Sequence, residues 1–296
     1  MRSMSKAERV AIAGITIAAL LGVFAAWAGS AGSNTVAGIP AFAILVAAAF
    51  AINIAVFIPS YAAGTEHYYD LTGSLTYIGV TTLALITAAD LDARSIIAAL
   101  MIYVWAGRLG TFLFRRVRNS GKDGRFDQIK TSFVRFLMAW MLQGLWVTLT
   151  AGAALAAITS GSKTAFGVLG VLGLLVWIVG FTIEVVADSQ KAAFRRDSKN
   201  TGNFITTGLW SWSRHPNYFG EIVLWTGMAL LVLPALAGLQ YLTLISPLFV
   251  AALLLRVSGV PMLERRADAK WGDQPNYERY KETTPVLVPR PPRRTN

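Results

Sequence analysis

The stretch Gly208-Leu-Trp-Ser-Trp-Ser-Arg-His-Pro-Asn-Tyr-Phe-Gly-Glu221 leads directly into an apolar run from Ile222 to Leu233. The run is suited to a membrane helix, and Pro216 is suited to its first turn, where the missing N–H is not needed. If the helix begins there, Asn217 and Glu221 share one face. The stretch therefore predicts a membrane helix with a cation, an imidazole, an amide, a phenol and a carboxylate at its mouth.

The composition places the chain among membrane proteins. Of its 296 residues, 54% are hydrophobic and only 15% are charged, and the mean hydropathy is +0.51. Soluble domains carry about 25% charged residues. The chain has no cysteine and two histidines, which excludes disulfides and thiolate sites and argues against a metal site.

The hydropathy pattern predicts an all-α, polytopic membrane bundle of about eight transmembrane helices, each near the ~20 residues that cross a bilayer. The expected spans are 10–28, 37–58, 71–89, 95–114, 133–158, 165–187, 217–234 and 239–257. In that arrangement only Arg94 and Lys163 fall in outer loops, whereas the other loop cations lie inside. The positive-inside rule then places both termini in the cytoplasm.

The same pattern divides the chain into a first transmembrane helix (1–36), a helical core (37–257) and a basic tail (258–296) that covers the cytoplasmic mouth of a cavity. The net charge of +11 is not a sign of nucleic-acid binding, because the cations lie in loops between apolar runs. Membrane lipids are the expected surroundings, and nothing indicates an obligate protein partner. The proline-rich end, 288–294, is predicted to be extended or disordered.

Two further groups of polar side chains are candidates for function. Glu184, Asp188, Lys191 and Arg195 follow spacings of four, three and four, so they share one helical face. A ladder of ion pairs explains the last two, but Glu184 still lies in an apolar stretch. The second group lies before the third span, from Glu66 to Asp70, where helix capping or interfacial anchoring is the alternative.

Cations also occur inside and beside the fourth span. Arg108 lies within the predicted helix and needs a partner or a wet cavity. The loop from Arg115 to Phe126 is basic and contains glycine, which fits either contact with anionic lipid or a clamp for a polyanionic cofactor. No GxGxxG between strand and helix, P-loop or HExxH is present, so a cofactor is expected to bind among membrane helices.

At these motifs the chain resembles the steroid 5-alpha-reductase family, in particular its bacterial branch. The resemblance runs from about Asp70 to the C-terminus and is densest in Glu184–Asp188, Gly208–Gly227 and Tyr277–Pro289. It implies a seven-helix core, with Val10–Trp27 as the additional helix, and a bacterial inner membrane as the expected location. It also implies an NADPH-dependent reduction of the carbon–carbon double bond of an enone in a steroid-like or isoprenoid lipid.

The resemblance assigns roles residue by residue. The positions that match NADPH-holding or site-lining residues of the family are Asp188, Arg195, Asn217, Glu221, Arg256 and Arg108. The stripe and the motif before the seventh span add four expected cofactor residues, Glu184, Arg214, His215 and Tyr218. The family's Gln-Glu pair is missing, and Trp105 stands where a tyrosine is expected. Asp70, with Tyr69 or Tyr103, is then the candidate that polarises the substrate ketone, since a carboxylic acid kept neutral by an apolar site can donate to an oxyanion.

Two alternatives remain at this point. The Arg-His-Pro-x-Tyr core also resembles membrane methyltransferases that use S-adenosylmethionine, where Arg214, His215 and Tyr218 would hold the cofactor. A lipid-binding protein without catalysis is the other alternative, because the ketone-polarising pattern is missing. Glu221, together with the Glu184–Asp188–Arg195 stripe, favours the reductase.

Overall fold

The computed structural model describes residues 4–120 and 123–292, without the side chains of 114–120, and that part of the chain is mostly helical. One antiparallel hairpin, β1 (Thr35–Val36) and β2 (Ile39–Pro40), turns through Ala37 and Gly38, both with positive φ. The α-helices are α1 (Lys6–Gly29), α2 (Ala41–Ala62), α3 (Tyr69–Thr87), α4 (Ala93–Ser120), α5 (Phe133–Thr159), α6 (Val168–Arg196), α7 (Pro216–Val232), α8 (Ser246–Ala252), α9 (Val260–Trp271) and α10 (Pro275–Thr283).

The prediction of an all-α membrane protein is confirmed. Within the described residues, seven helical segments are long and apolar enough to cross a membrane. The expected third span is formed as α3 but is not among the seven, because its threonines, tyrosines and Asp70 make it less apolar. Helix α7 begins at Pro216, as the missing N–H predicts. The orientation of the termini stays a prediction.

The predicted last span, 239–257, is helical but irregular. It begins as a 3-10 helix (Gly238–Ile245), continues as α8 and ends in a π-helical turn (Leu253–Val257). Pro247 contributes to the change, since a proline lacks the N–H that a continuing helix would use. Arg256 therefore lies in the π-helical turn and not at the end of a regular helix.

The chain forms two compact units. Unit 1 contains residues 1–170 and 231–246, and unit 2 contains residues 171–230 and 247–296. In unit 1, α5 lies against both α1 and α2. Polar side chains join its helices: the amide of Gln143 donates to the carbonyl of Tyr69 at 3.0 Å, and Nδ2 of Asn53 donates to Oγ1 of Thr76 at 3.3 Å. Hydrogen bonds of this kind commonly contribute to the association of membrane helices.

Two cations of unit 1, Arg94 and Lys163, donate hydrogen bonds to backbone carbonyls. Arg94 is 2% exposed, and its guanidinium donates to the backbone carbonyls of Leu231 and Ala165. Nζ of Lys163 donates to the carbonyl of Ile158 at 2.9 Å. These are the cations expected in outer loops. Leu231 and Ile158 lie in the last turns of α7 and α5, so each cation donates to a carbonyl that a helix end leaves without an intrahelical partner.

In unit 2, α6 and α7 approach closely through glycines. A Cβ at Gly220 would lie 2.6 Å from the carbonyl oxygen of Gly180, so any larger residue would separate the helices. Behind this pair, Ala187, Ile205 and Trp210 form a buried apolar cluster. The tail, expected to cover the mouth of a cavity, forms α9 and α10, and residues 284–290 run back along Trp212–Arg214.

Candidate functional site

Unit 2 contains a pocket of about 370 Å³, formed by the end of α6, the connection before α7, and α9 and α10. Among the residues that the structure describes, five cations line it: Lys191, Arg195, Arg214, Arg266 and Lys270. One carboxylate, that of Glu264, is also part of the lining. The pocket therefore carries a surplus of positive charge and is suited to an anionic ligand.

The Arg214–His215 turn is held in place by the tail. The backbone N–H of Arg214 donates to the carbonyl of Pro285 at 2.9 Å. Ser213 is fully buried; its Oγ donates to the carbonyl of Leu287 at 2.8 Å and accepts from the N–H of His215 at 3.1 Å. The conformation of the turn thus depends on residues more than 70 positions further along the chain.

Glu264 contacts both Arg214 and His215 through its carboxylate. One of its oxygens lies 2.9 Å from Nη1 of Arg214, and the other lies 2.8 Å from Nε2 of His215. Burial lowers the pKa of His215 below its ordinary 6.5; Glu264 opposes this effect, and Lys191 and Arg214 reinforce it. His215 is therefore neutral at pH 7, and the carboxylate is balanced chiefly by Arg214.

Aromatic rings form another part of the pocket wall. The ring of Phe204 packs against Trp271, Tyr277 and Tyr280, with centroid distances of 5.6, 5.1 and 5.7 Å. Nζ of Lys191 lies 4.2 Å from the ring centroid of Trp210. Burial raises the pKa of Tyr280 and, with the hydrogen bond to Asp268, that of Tyr277, so both phenols stay neutral. Flat rings beside cations fit an aromatic ligand that carries phosphate.

The predicted stripe on α6 is divided by the structure. Lys191 and Arg195, at its end, line the pocket. Glu184 lies further inside the helix and is 3% exposed. Between them, Asp188 accepts a hydrogen bond from Nδ2 of Asn217 at 3.2 Å, which joins α6 to α7. Two residues that the resemblance assigns to the cofactor therefore contact each other.

The other predicted residues of unit 2 lie outside this pocket's lining, as far as the chain is described. Tyr218 stacks on His215 at a centroid distance of 5.5 Å and an interplanar angle of 9°. Glu221 lies one turn further along α7 than Asn217, and Arg256 lies in the π-helical turn. The cofactor roles of these residues stay predictions.

The predicted catalytic residues belong to unit 1. The hydroxyl of Tyr69 donates to the carbonyl of Ala139 at 2.9 Å, and Asp70 accepts from Nη2 of Arg125 at 3.3 Å. Tyr103 pairs with Thr82 at 2.8 Å. Thr82 lies twelve residues beyond Asp70 on α3, or ~18 Å along the helix axis. The structure therefore does not bring Tyr103 and Asp70 together.

The other charged residues of unit 1 that the sequence singled out have different neighbours from one another. The guanidinium of Arg108 lies 5.9 Å from the ring centroid of Phe112. Glu66 is held by Nζ of Lys130 at 2.6 Å and by the backbone N–H of Asp123 at 3.0 Å. Burial opposes ionisation, but these two bonds keep the pKa of Glu66 below its ordinary value. Of the loop expected as a clamp, Arg115–Phe126, residues 115–120 belong to α4, and their side chains and residues 121–122 lie outside the described part. Its described cation, Arg125, pairs with Asp123 and Asp70.

Sequence reasoning missed most of the tail's contribution to the pocket. The residues it did not single out as ligands are Glu264, Arg266, Lys270, Trp271, Tyr277 and Tyr280. The signal was the alternation of aromatic and basic residues in the tail, which predicted a cover over the mouth of a cavity. That signal does not identify Glu264, whose partners come from a distant stretch.

Comparison with known proteins gives a family and two partial relatives. An uncharacterized protein of Schizosaccharomyces pombe is 24% identical over 159 residues, which cover 45% of this chain and 46% of that protein. A probable O-methyltransferase of Ustilaginoidea virens is 30% identical over 82 residues, which cover 28% of this chain and 29% of that protein. The matches thus span less than half of each relative, and no solved structure matches. The model of the protein family of unknown function DUF1295 matches residues 56–284, so the chain belongs to that family.

Proposed function

We propose that this protein is a membrane reductase that uses NADPH to reduce a carbon–carbon double bond conjugated to a ketone, in a steroid-like or isoprenoid lipid. The observation that carries the proposal is the charge of the unit 2 pocket. Arg214 already faces Glu264, so the surplus lies on the four other lining cations, Lys191, Arg195, Arg266 and Lys270. A ligand with several phosphate charges is the natural counterpart of this set.

The residues present fit a phosphorylated dinucleotide. Guanidinium groups form paired hydrogen bonds to phosphate, and the cluster around Phe204 offers flat faces to an adenine ring. Within the described part of the chain, the buried Nδ1 of His215 and Nε of Arg214 have no hydrogen-bond partner. A bound ligand with polar groups satisfies such atoms. A reduced nicotinamide, when bound, supplies hydride.

The chain's own residues contribute binding and orientation. Neutral Tyr277 and Tyr280 add no negative charge that would repel phosphate. The substrate is proposed to enter from the bilayer. The asymmetry of the loop cations supports a pocket on the cytoplasmic side of a bacterial inner membrane.

An S-adenosylmethionine-dependent methyltransferase is the second candidate. The match to a probable O-methyltransferase favours it. The pocket charge speaks against it, because S-adenosylmethionine carries a sulfonium and an ammonium against one carboxylate. Cations lining the site repel such a ligand, whereas they attract a dinucleotide phosphate.

The deciding experiment measures thermal unfolding of the purified protein in detergent with NADPH, NADH or S-adenosylmethionine. A ligand at 100 times its Kd stabilises the folded state by ~2.7 kcal/mol. We expect stabilisation by NADPH, followed by NADPH oxidation when enone lipids are added. Stabilisation by S-adenosylmethionine alone would replace the proposal with the methyltransferase. No stabilisation by any of the three would favour a lipid-binding protein without catalysis.

A further inference from the structure

The C-terminal segment Thr284–Arg290 has an inner side that binds the rest of unit 2. Along it, carbonyls of Pro285 and Leu287 accept hydrogen bonds from Arg214 and Ser213. The N–H of Arg290 donates to the carbonyl of Trp212 at 2.9 Å. These bonds fix the segment beside Trp212, immediately before α7.

The outer side of the same segment is apolar and exposed. Val286 is 37% exposed, Val288 is 56% exposed, and the adjacent Trp212 is 42% exposed. The exposed valines alternate with the less exposed Pro285 and Leu287, so the apolar side chains share one side. Single exposed apolar residues need no explanation, but adjacent ones with an aromatic ring among them indicate a contact surface.

The position of this surface identifies what covers it. The membrane-spanning segment that contains α7 begins at Pro216, four residues after Trp212. Trp212 is therefore close to the level where the chain enters the bilayer, and Arg290 brings the tail to the same level. Tryptophan is enriched at that level, and arginine there contacts anionic headgroups.

We propose that Trp212, Val286, Val288 and Arg290 form a membrane-contact surface that binds the headgroup region of an anionic bilayer. The valines and the indole insert at the boundary with the acyl chains, and Arg290 binds lipid phosphate. Two more arginines, Arg293 and Arg294, follow in the sequence. The tail is then held on one side by the Arg214 turn and on the other by lipid. This inference does not rest on the reductase proposal.

The natural absence of cysteine allows a direct test in the full chain. Val288→Cys is labelled with an environment-sensitive fluorophore and reconstituted into phosphatidylcholine vesicles with or without phosphatidylglycerol. Glu282→Cys, at an exposed position of α10 in the same tail, is the matched control. Both labelled variants must unfold thermally like the wild type.

We expect the emission of the label at 288 to shift to shorter wavelength on reconstitution. Nitroxide on lipid acyl chains should quench it, iodide should not, and the label at 282 should behave in the opposite way. Adding Arg290→Gln should remove the part of the shift that depends on phosphatidylglycerol. Equal iodide quenching at both positions would overturn the proposal. An emission shift that lipid nitroxide does not quench would also overturn the proposal. If that shift depended on the protein-to-lipid ratio, the surface would contact a second copy of the protein.

Discussion

Nε2 of His215 lies 2.8 Å from Oε1 of Glu264, and this contact fixes the state of the imidazole in the pocket. A carboxylate can only accept, so Nε2 carries the proton and donates it. The neutral ring then presents Nδ1 as an acceptor, which is buried and has no hydrogen-bond partner among the described residues. The motif's histidine is therefore an acceptor in the pocket, not a cation.

This arrangement predicts how stability depends on pH. The folded-state pKa of His215 is lowered, chiefly by burial, so the unfolded chain binds more protons once the pH falls below the ordinary 6.5. Its contribution to stability is complete above that pH and decreases as the pH falls through 6.5 toward the folded-state pKa. Thermal unfolding between pH 8 and pH 5 measures the decrease.

The control is His215→Gln, which keeps an amide donor for Glu264 but does not titrate. It should lose the part of the pH dependence that His215 contributes in that window. Identical pH profiles for the variant and the wild type would contradict the assignment of this titration to His215.

Two exposed cations on α9 are predicted to determine the affinity for NADPH. Arg266→Gln and Lys270→Gln should each weaken binding by ~1 kcal/mol, a modest effect because both side chains are solvent-screened. The double variant should also bind with a weaker dependence on salt. Calorimetric titration at two ionic strengths measures both effects.

Arg265→Gln is the matched control for this pair. Arg265 is an exposed cation on the same helix, adjacent to Arg266, but it does not belong to the pocket lining in the described chain. It should bind NADPH like the wild type. Equal losses in all three variants would show that only the net charge of the tail matters.

The local chemistry of the sequence predicted the helices and where some begin. Pro216 marked the start of α7, and the apolar runs marked the spans, because both signals act within a few residues. The tail helices α9 and α10 were missed because they are rich in charge, so hydropathy does not reveal them. Glu264 was missed because its partners, Arg214 and His215, lie about 50 residues earlier in the chain.

Arg94 illustrates the same limit in unit 1 and supports a stability prediction. Its sequence position indicated an outer-loop charge, yet it satisfies two backbone carbonyls inside the unit. Arg94→Leu should lower the free energy of unfolding by ~1–3 kcal/mol, because the carbonyl of buried Leu231 loses its side-chain donor. Arg135→Leu is the control, since it removes one exposed bond, to the carbonyl of Gln128. Similar losses in the two variants would contradict the special role of Arg94.

The predicted effect of Ser213→Ala connects the tail to the pocket. The buried hydroxyl joins the carbonyl of Leu287 to the N–H of His215, so its loss leaves a donor and an acceptor unsatisfied. We expect unfolding to require ~1–3 kcal/mol less free energy. We also expect NADPH affinity, compared under conditions where both proteins are fully folded, to fall because the Arg214–His215 turn loses its support.

Ser211→Ala, whose exposed hydroxyl donates only to the nearby carbonyl of Gly208, should change neither quantity. If Ser213→Ala lowers stability but leaves the affinity intact, the tail stabilises the fold without positioning the pocket.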